Sequence, residues 1–329
     1  MKKVVLFLIL FAVLTLVSYA QQEKKPVELF PIIQNGQYGY MDQAGNLLIK
    51  PQFDRAGRFS EGVARVMIGE KWGYIDDTGS MVIHPQFDEA GYFHEGLARV
   101  KIGEKYGYID KTGNLTIHPQ FDEAGSFFDG LARVISDGKY AYIDRSGKMT
   151  IESQSNRTGR FSEELALCKN LSRKCGYIDK QGKTVISQQF DRAWYFSDGL
   201  AKVVLEGKSG YIDKTGKMVI SPKFEDAGPF SEELANIESK NRWGYINKMG
   251  EIIIEPQFDL AGRFSDGLAA VKLNGKWGYI DKDGKTVISP QFDQAVPFQN
   301  GLAQVVVRSS PPKFGYVDKT GKYIWEPTR

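Results

Sequence analysis

The chain has 329 residues, of which 42% are apolar, 12% aromatic and 25% charged, a globular composition that excludes wholesale disorder. Its 43 Lys and Arg against 40 Asp and Glu give a net charge of +3. That is too weak a field to steer it onto nucleic acid or an anionic membrane, and three His and two Cys leave little for metal or thiol chemistry.

At the start, Met1-Lys2-Lys3 is positive and Val4 to Val17 is an apolar run of 14 residues. Ser18-Tyr19-Ala20 then places small residues before a cleavage point between Ala20 and Gln21. This is the pattern of a secretory signal peptide. The run is shorter than the ~20 residues that span a bilayer; retention as an uncleaved anchor is the alternative. No Cys follows it, so a lipid-attached export signal is not expected, and no later segment is apolar enough to span. The expected organisation is a signal peptide over 1–20 and one exported domain over 21–329, periplasmic or extracellular, with no stable membrane span after signal removal.

The rest of the chain is one motif repeated. Its marker tyrosines are Tyr40, Tyr74, Tyr108, Tyr142, Tyr177, Tyr211, Tyr245, Tyr279 and Tyr316, spaced by 34 residues except for one interval of 35 and one of 37. Each unit reads as three short strands. In the third unit these are Leu97–Ile102, Tyr106–Ile109 and Asn114–His118, with a turn of Asp110-Lys-Thr-Gly113 before the last. Asp caps such a turn through its side chain and Gly supplies a positive φ. Pro119 ends the strand, and Phe121 to Gly130 reads as an irregular return with two aromatic anchors. A three-stranded meander cannot bury its own apolar face, so the units must stack. Because the chain starts and stops at unit boundaries, no strand remains to complete the first unit. The expected fold is all-β, an open repeat solenoid of nine three-stranded units of about 34 residues. A closed β-propeller-like ring is the alternative.

Lys71-Trp72-Gly73-Tyr74-Ile75-Asp76, Arg242-Trp243-Gly244-Tyr245-Ile246-Asn247 and Lys276-Trp277-Gly278-Tyr279-Ile280-Asp281 resemble the signature of the bacterial WG (KWG) repeat family. The resemblance covers nearly all of the chain after residue 20. It implies a repeat scaffold without catalytic activity. In the other units the Trp is replaced by Tyr38, Tyr106, Tyr140, Cys175, Ser209 and Phe314, which suits packing over the following Gly better than a common ligand role.

Several groups could carry chemistry. The turn acids Asp42, Asp76, Asp110, Asp144, Asp179, Asp213, Asp281 and Asp318, with Asn247, provide one oxygen donor group per unit, far from what calcium requires. A second acidic row follows the loop Phe (Asp54, Asp88, Asp122, Asp191, Glu225, Asp259 and Asp293) and is expected to make local hydrogen bonds. His84 and His118 share a register, but zinc needs three or four ligands and His94 is the only other His. No metal, no cofactor and no catalytic residue is expected. Cys168 and Cys175 fall on neighbouring hairpin strands, which in an oxidising compartment suggests a disulfide; two buried thiols are the alternative. In the same region Ser153-Gln154-Ser155-Asn156 replaces Pro-x-Phe-Asp, so the stack should be weakest and most readily cut at Ser153–Arg157.

Variable positions in a repeated frame are candidates for binding. Just before the second anchor Phe lie Arg58, Tyr92, Ser126, Arg160, Tyr195, Pro229, Arg263 and Pro297, with Trp194 beside Tyr195. Arg58, Tyr92, Arg160, Trp194, Tyr195 and Arg263 have the side chains enriched at binding hot spots and should form one row of loop tips. The basic row Arg65, Arg99, Arg133 and Lys202 follows Glu61, Glu95, Asp129 and Asp198 by four residues, so ion pairing within each unit is expected. The chain therefore reads as an exported, non-enzymatic repeat scaffold mediating protein–protein interaction, its partner unidentified. The alternative is a cell-envelope carbohydrate or peptidoglycan binder using Trp194 and Tyr195.

Overall fold

A computed structural model describes residues 28–152, 158–308 and 312–328. The expected signal peptide, its Ala20–Gln21 cleavage point and the expected cut at Ser153–Arg157 lie outside these residues. Among the described residues the regular structure is β throughout. The first unit contributes β1 (Phe30–Gln34), β2 (Gln37–Met41) and β3 (Leu47–Phe53). The second contributes β4 (Arg55–Ser60), β5 (Val63–Ile68), β6 (Lys71–Ile75) and β7 (Met81–Phe87). All pair as antiparallel neighbours in chain order.

The strand β4 corrects the three-strand reading. The return segment pairs with β5 at Arg55↔Met67 and Ala56↔Val66, slips at Gly57-Arg58, and pairs again at Phe59↔Ala64. This bulge breaks the alternation by which a strand is recognised in a sequence. In the third unit the pairing shrinks to Glu89–Ala90 plus an isolated bridge, His94↔Leu97. Glu61 and Gly62, both left-handed at φ 52° and 89°, make the turn into β5.

The Trp-Gly-Tyr signature follows from a second bulge. Trp72 pairs with Phe87 and Tyr74 with Ile83, so His84, Pro85 and Gln86 crowd opposite Gly73 alone. A Cβ on Gly73 would collide with Ile83 O and Pro85 N. Glycine is needed there because the neighbouring backbone leaves no room for a side chain.

Among the described residues nine sheets form, three-stranded in the first unit and four-stranded in the others, and the ring closes. Tyr316 OH donates to Pro31 O at 2.9 Å, Thr328 Oγ1 to Ile33 O at 2.5 Å, and Gln43 Nε2 to Asn300 O at 3.0 Å. Phe30, Ile32 and Met41 share a buried cluster with Leu302 and Tyr316. The open solenoid is therefore wrong: the fold is a nine-bladed β-propeller, and among the described residues its first and last blades meet through side chains and exchange no strand. The inference from the chain ends failed because closure needs complementary faces, and the first sheet supplies one with three strands.

Each core lies between blades. Tyr74, Ile83 and Phe87 of blade 2 pack with Ala90, Phe93, Ala98 and Ile109 of blade 3. Tyr74 OH also crosses to Gly91 O at 2.8 Å, and its ring meets Phe93 edge-on at 5.0 Å. The same Tyr–Phe contact recurs at each junction from Tyr40–Phe59 to Tyr279–Phe298. Asp-x-x-Gly turns cap themselves: Asp76 Oδ1 accepts from the amides of Thr78 and Ser80. Gly79 leaves room for Ile49 of the preceding blade.

Candidate functional site

The first strand of each four-stranded blade faces the middle of the ring. Arg58 of blade 2 bonds Gln299 of blade 9 across blade 1, which has no such strand among the described residues. Strands at the outer rim could not meet across an intervening blade. The predicted row keeps one register but not one structure: Arg58, Ser126, Arg160 and Arg263 lie on inner strands, whereas Tyr92, Tyr195, Pro229 and Pro297 lie in the irregular stretch between a two-residue strand and an isolated bridge. Arg58, Arg160 and Arg263 are exposed there, and Tyr92 is half-buried.

The row includes a notch. Among the described residues blade 1 contributes no inner strand, and there a cavity of about 690 Å³ is lined by Arg58 and Phe59 of blade 2, Phe30 and Pro31 of blade 1, Tyr316 of blade 9 and Arg263 of blade 8. Phe59 is only partly buried, whereas its equivalents Phe93, Phe127 and Phe298 are at most 1% exposed. The notch thus places an accessible aromatic ring beside two guanidinium groups.

Elsewhere the row is held by cation–aromatic contacts. The Arg160 guanidinium lies 4.3 Å from the ring centre of Phe128 and 4.5 Å from that of Tyr195. Over Trp194 stand Lys202 Nζ at 3.9 Å and the Arg192 guanidinium at 5.0 Å. The rings on which a sugar would stack are already in contact with protein cations.

The acidic and basic rows do not pair within their units, contrary to expectation. Glu61 accepts from the Gly96 amide of the next blade, Glu95 from Gly130, Asp129 from Glu164 and Asp198 from Glu233. Arg65 donates to Ala90 O, Arg99 to Ala124 O, Arg133 to Thr158 O and Lys202 to Ala227 O. Both rows tie each blade to the next. The second acidic row bonds turn amides as expected, Asp88 to Gly103 and Asp191 to Glu206, and also takes lysines, Lys71 and Lys174.

The disulfide between Cys168 and Cys175 is also absent; both are buried free thiols. Cys168 pairs with Gly176 and Cys175 with Lys169, so the two side chains leave opposite faces of the sheet. They enter different cores, Cys168 with Tyr142 and Phe161, Cys175 with Phe190 and Phe196. Burial raises both thiol pKa values, which suppresses the reactive thiolate. His84 and His118 are exposed on outer strands of neighbouring blades, and no group of three or more metal-ligating side chains occurs among the described residues.

The fold resembles a crystal structure of a eukaryotic initiation factor at 11% identity and a TM-score of 0.67, covering 93% of this chain and 96% of that one. BamB from Moraxella catarrhalis aligns at 13% identity and a TM-score of 0.46, over 84% of this chain and 96% of that one. No curated protein matches the chain. The WG containing repeat family matches eight consecutive times, over 38–72, 72–106, 106–140, 140–170, 176–208, 210–242, 243–277 and 277–309. With eight successive matches and a marker tyrosine at the same register of every blade, the chain belongs to the WG containing repeat family.

Proposed function

We propose that this propeller is an exported, non-enzymatic scaffold that binds another protein across its ring, anchored at the notch. The observation that carries this reading is the cavity holding Phe59, Arg58 and Arg263. An accessible aromatic with flanking arginines is the composition of an interface hot spot, and it lies at the junction of the first and last blades. The rest of the frame is occupied in holding blade to blade. Export rests on the first twenty residues, and the absence of a reaction on the lack of a distinctive polar cluster among the described residues.

The test is affinity capture from the native envelope with the mature protein as bait, against a Phe59→Ala/Arg263→Ala variant. Loss of a specific protein from the variant supports the reading, provided the variant melts as a ring. Equal capture by both proteins moves the interface elsewhere. Retention of glycan in place of protein would favour a carbohydrate-binding scaffold.

A further inference from the structure

A second cavity, of about 300 Å³, lies at the junction of blades 2 and 3, away from the notch. Arg55, Arg65 and Arg99 line it, with Trp72, Tyr106 and Glu89. Guanidinium groups present five donors each. Here Arg65 gives one to Ala90 O and Arg99 one to Ala124 O, both at 2.5 Å. Arg65 Nε is buried with no partner. Among the described residues no carboxylate lies within salt-bridge distance of any of the three arginines.

The corresponding junction between blades 6 and 7 is compensated. There Lys202 stands in the place of Arg65 and pairs with Asp226, which occupies the register of Glu89. At the blade 2–3 junction that acid is diverted. Glu89 accepts from Tyr106 OH at 2.7 Å and from Lys101 Nζ at 3.4 Å. The diversion depends on the hydroxyl of Tyr106; the residue in its place at the blade 6–7 junction is Trp243, which has none. At the blade 3–4 junction Glu89 itself takes the register of Arg55, so three arginines do not meet there.

We infer that the cavity between blades 2 and 3 is a carboxylate seat, in which an acidic side chain of a protein partner takes the counter-ion position that Asp226 fills internally at the blade 6–7 junction. The planar fork of Arg matches a carboxylate in two parallel bonds. Arg65 is held for this between Trp72, 4.9 Å from its guanidinium, and Tyr92, at 4.4 Å. Arg55, exposed at the rim, is free to close on the ligand. Only the source of the carboxylate rests on the scaffold reading above; the seat itself does not.

The experiment is calorimetric titration of the purified mature protein with a blocked tetraglutamate peptide, with inorganic phosphate as a second probe. The seat predicts saturable peptide binding that Arg55→Ala weakens by about tenfold. Glu89→Gln should strengthen binding, because it removes the competing acid. Tyr106→Phe should weaken it, because it frees Glu89 to turn onto the arginines. Melting temperatures identify any variant that has lost the ring, and Glu89→Gln, a gain, cannot arise from misfolding. Peptide affinity unchanged across folded variants, or binding of phosphate but not peptide, overturns the proposal. Failure here with partner capture intact refutes the seat alone; peptide binding without partner capture refutes the scaffold reading alone.

Discussion

Phe30 of the first blade meets Tyr316 of the last edge-on, with ring centroids 5.7 Å apart and planes at 67°. Every other marker tyrosine meets a Phe from the inner strand of the next blade. Among the described residues blade 1 has no such strand, and Phe30 occupies the register where the other blades carry Ala64, Ala98, Ala132, Ala166, Ala201, Ala235, Ala269 and Ala303. The missing ring is thus supplied from the adjacent strand, and Pro31, which has no amide to offer at the open edge, stands beside it. Phe30→Ala should cost about 3–5 kcal/mol through the cavity it leaves. Hydrogen exchange should show protection lost first in blades 1 and 9; uniform loss around the ring would contradict a closure centred on this pair.

Ala141 tests the account of the signature glycine. In blade 4 it replaces the Gly of the other blades, and among the described residues it alone at this position has a direct partner, Ala141 pairing with Glu152 beside Tyr142 with Ile151. Gly73→Ala should therefore destabilise by about 1–3 kcal/mol, an overpacking against the bulged backbone. Ala141→Gly should cost only about 0.5–1 kcal/mol, the ordinary penalty of Gly in a strand. Denaturant titration of the two variants checks this; equal costs would remove the steric explanation.

Two inner turns carry strain that the others avoid. Glu164 and Glu233 sit at φ 76° and 74° where other blades have glycines such as Gly62 at 89°. Left-handed backbone is unfavourable for a residue with a Cβ. Their ion pairs, Glu164 with Lys180 and Glu233 with Lys248, are solvent-exposed and contribute little. Glu164→Gly and Glu233→Gly should each stabilise by about 0.5–1 kcal/mol, read as a shift in the urea midpoint at constant slope.

The nine marker tyrosines couple the ring to alkaline pH. Burial raises their pKa, to about 12 for Tyr142 and higher for the rest. A folded pKa above the unfolded value of about 10 means stability is undiminished below pH ~10 and falls as pH rises through the folded values. Spectrophotometric titration should show the marker tyrosines ionising above pH ~10, together with loss of the β signal. Ionisation of all 16 tyrosines in a single transition near pH 10 with the fold intact would contradict this.

Much of the blade was legible because it is repeated: the hairpins, the Asp-x-x-Gly turns and the placement of the Ile and Tyr rows follow from alternation and turn chemistry. The inner strand was not, because Gly57-Arg58 bulges out of register and the pairing at Glu89–Ala90 is two residues long. Ring closure was not, because it depends on the angle between successive blades, which no single unit encodes. One signal was available: an aromatic at Phe30 in a column of alanines marks a blade that fills its own core. The variable row was legible as one register, but not that Arg58, Ser126, Arg160 and Arg263 lie on strands, since strand and loop cannot be told apart at a bulge. The paired cysteines misled because adjacent strands were considered without register, and a slip of one residue sends side chains to opposite faces.

The most direct measurement of the closed ring is a cross-link between its two ends. Gln43 in the first blade touches Asn300 in the last, and 257 residues separate them in sequence. Gln43→Cys and Asn300→Cys, introduced together in the full-length protein, should oxidise rapidly within one molecule, leaving a compact monomer with altered electrophoretic mobility. Cross-links formed only between molecules, or two thiols that remain free under mild oxidation, would show that the first and last blades do not meet.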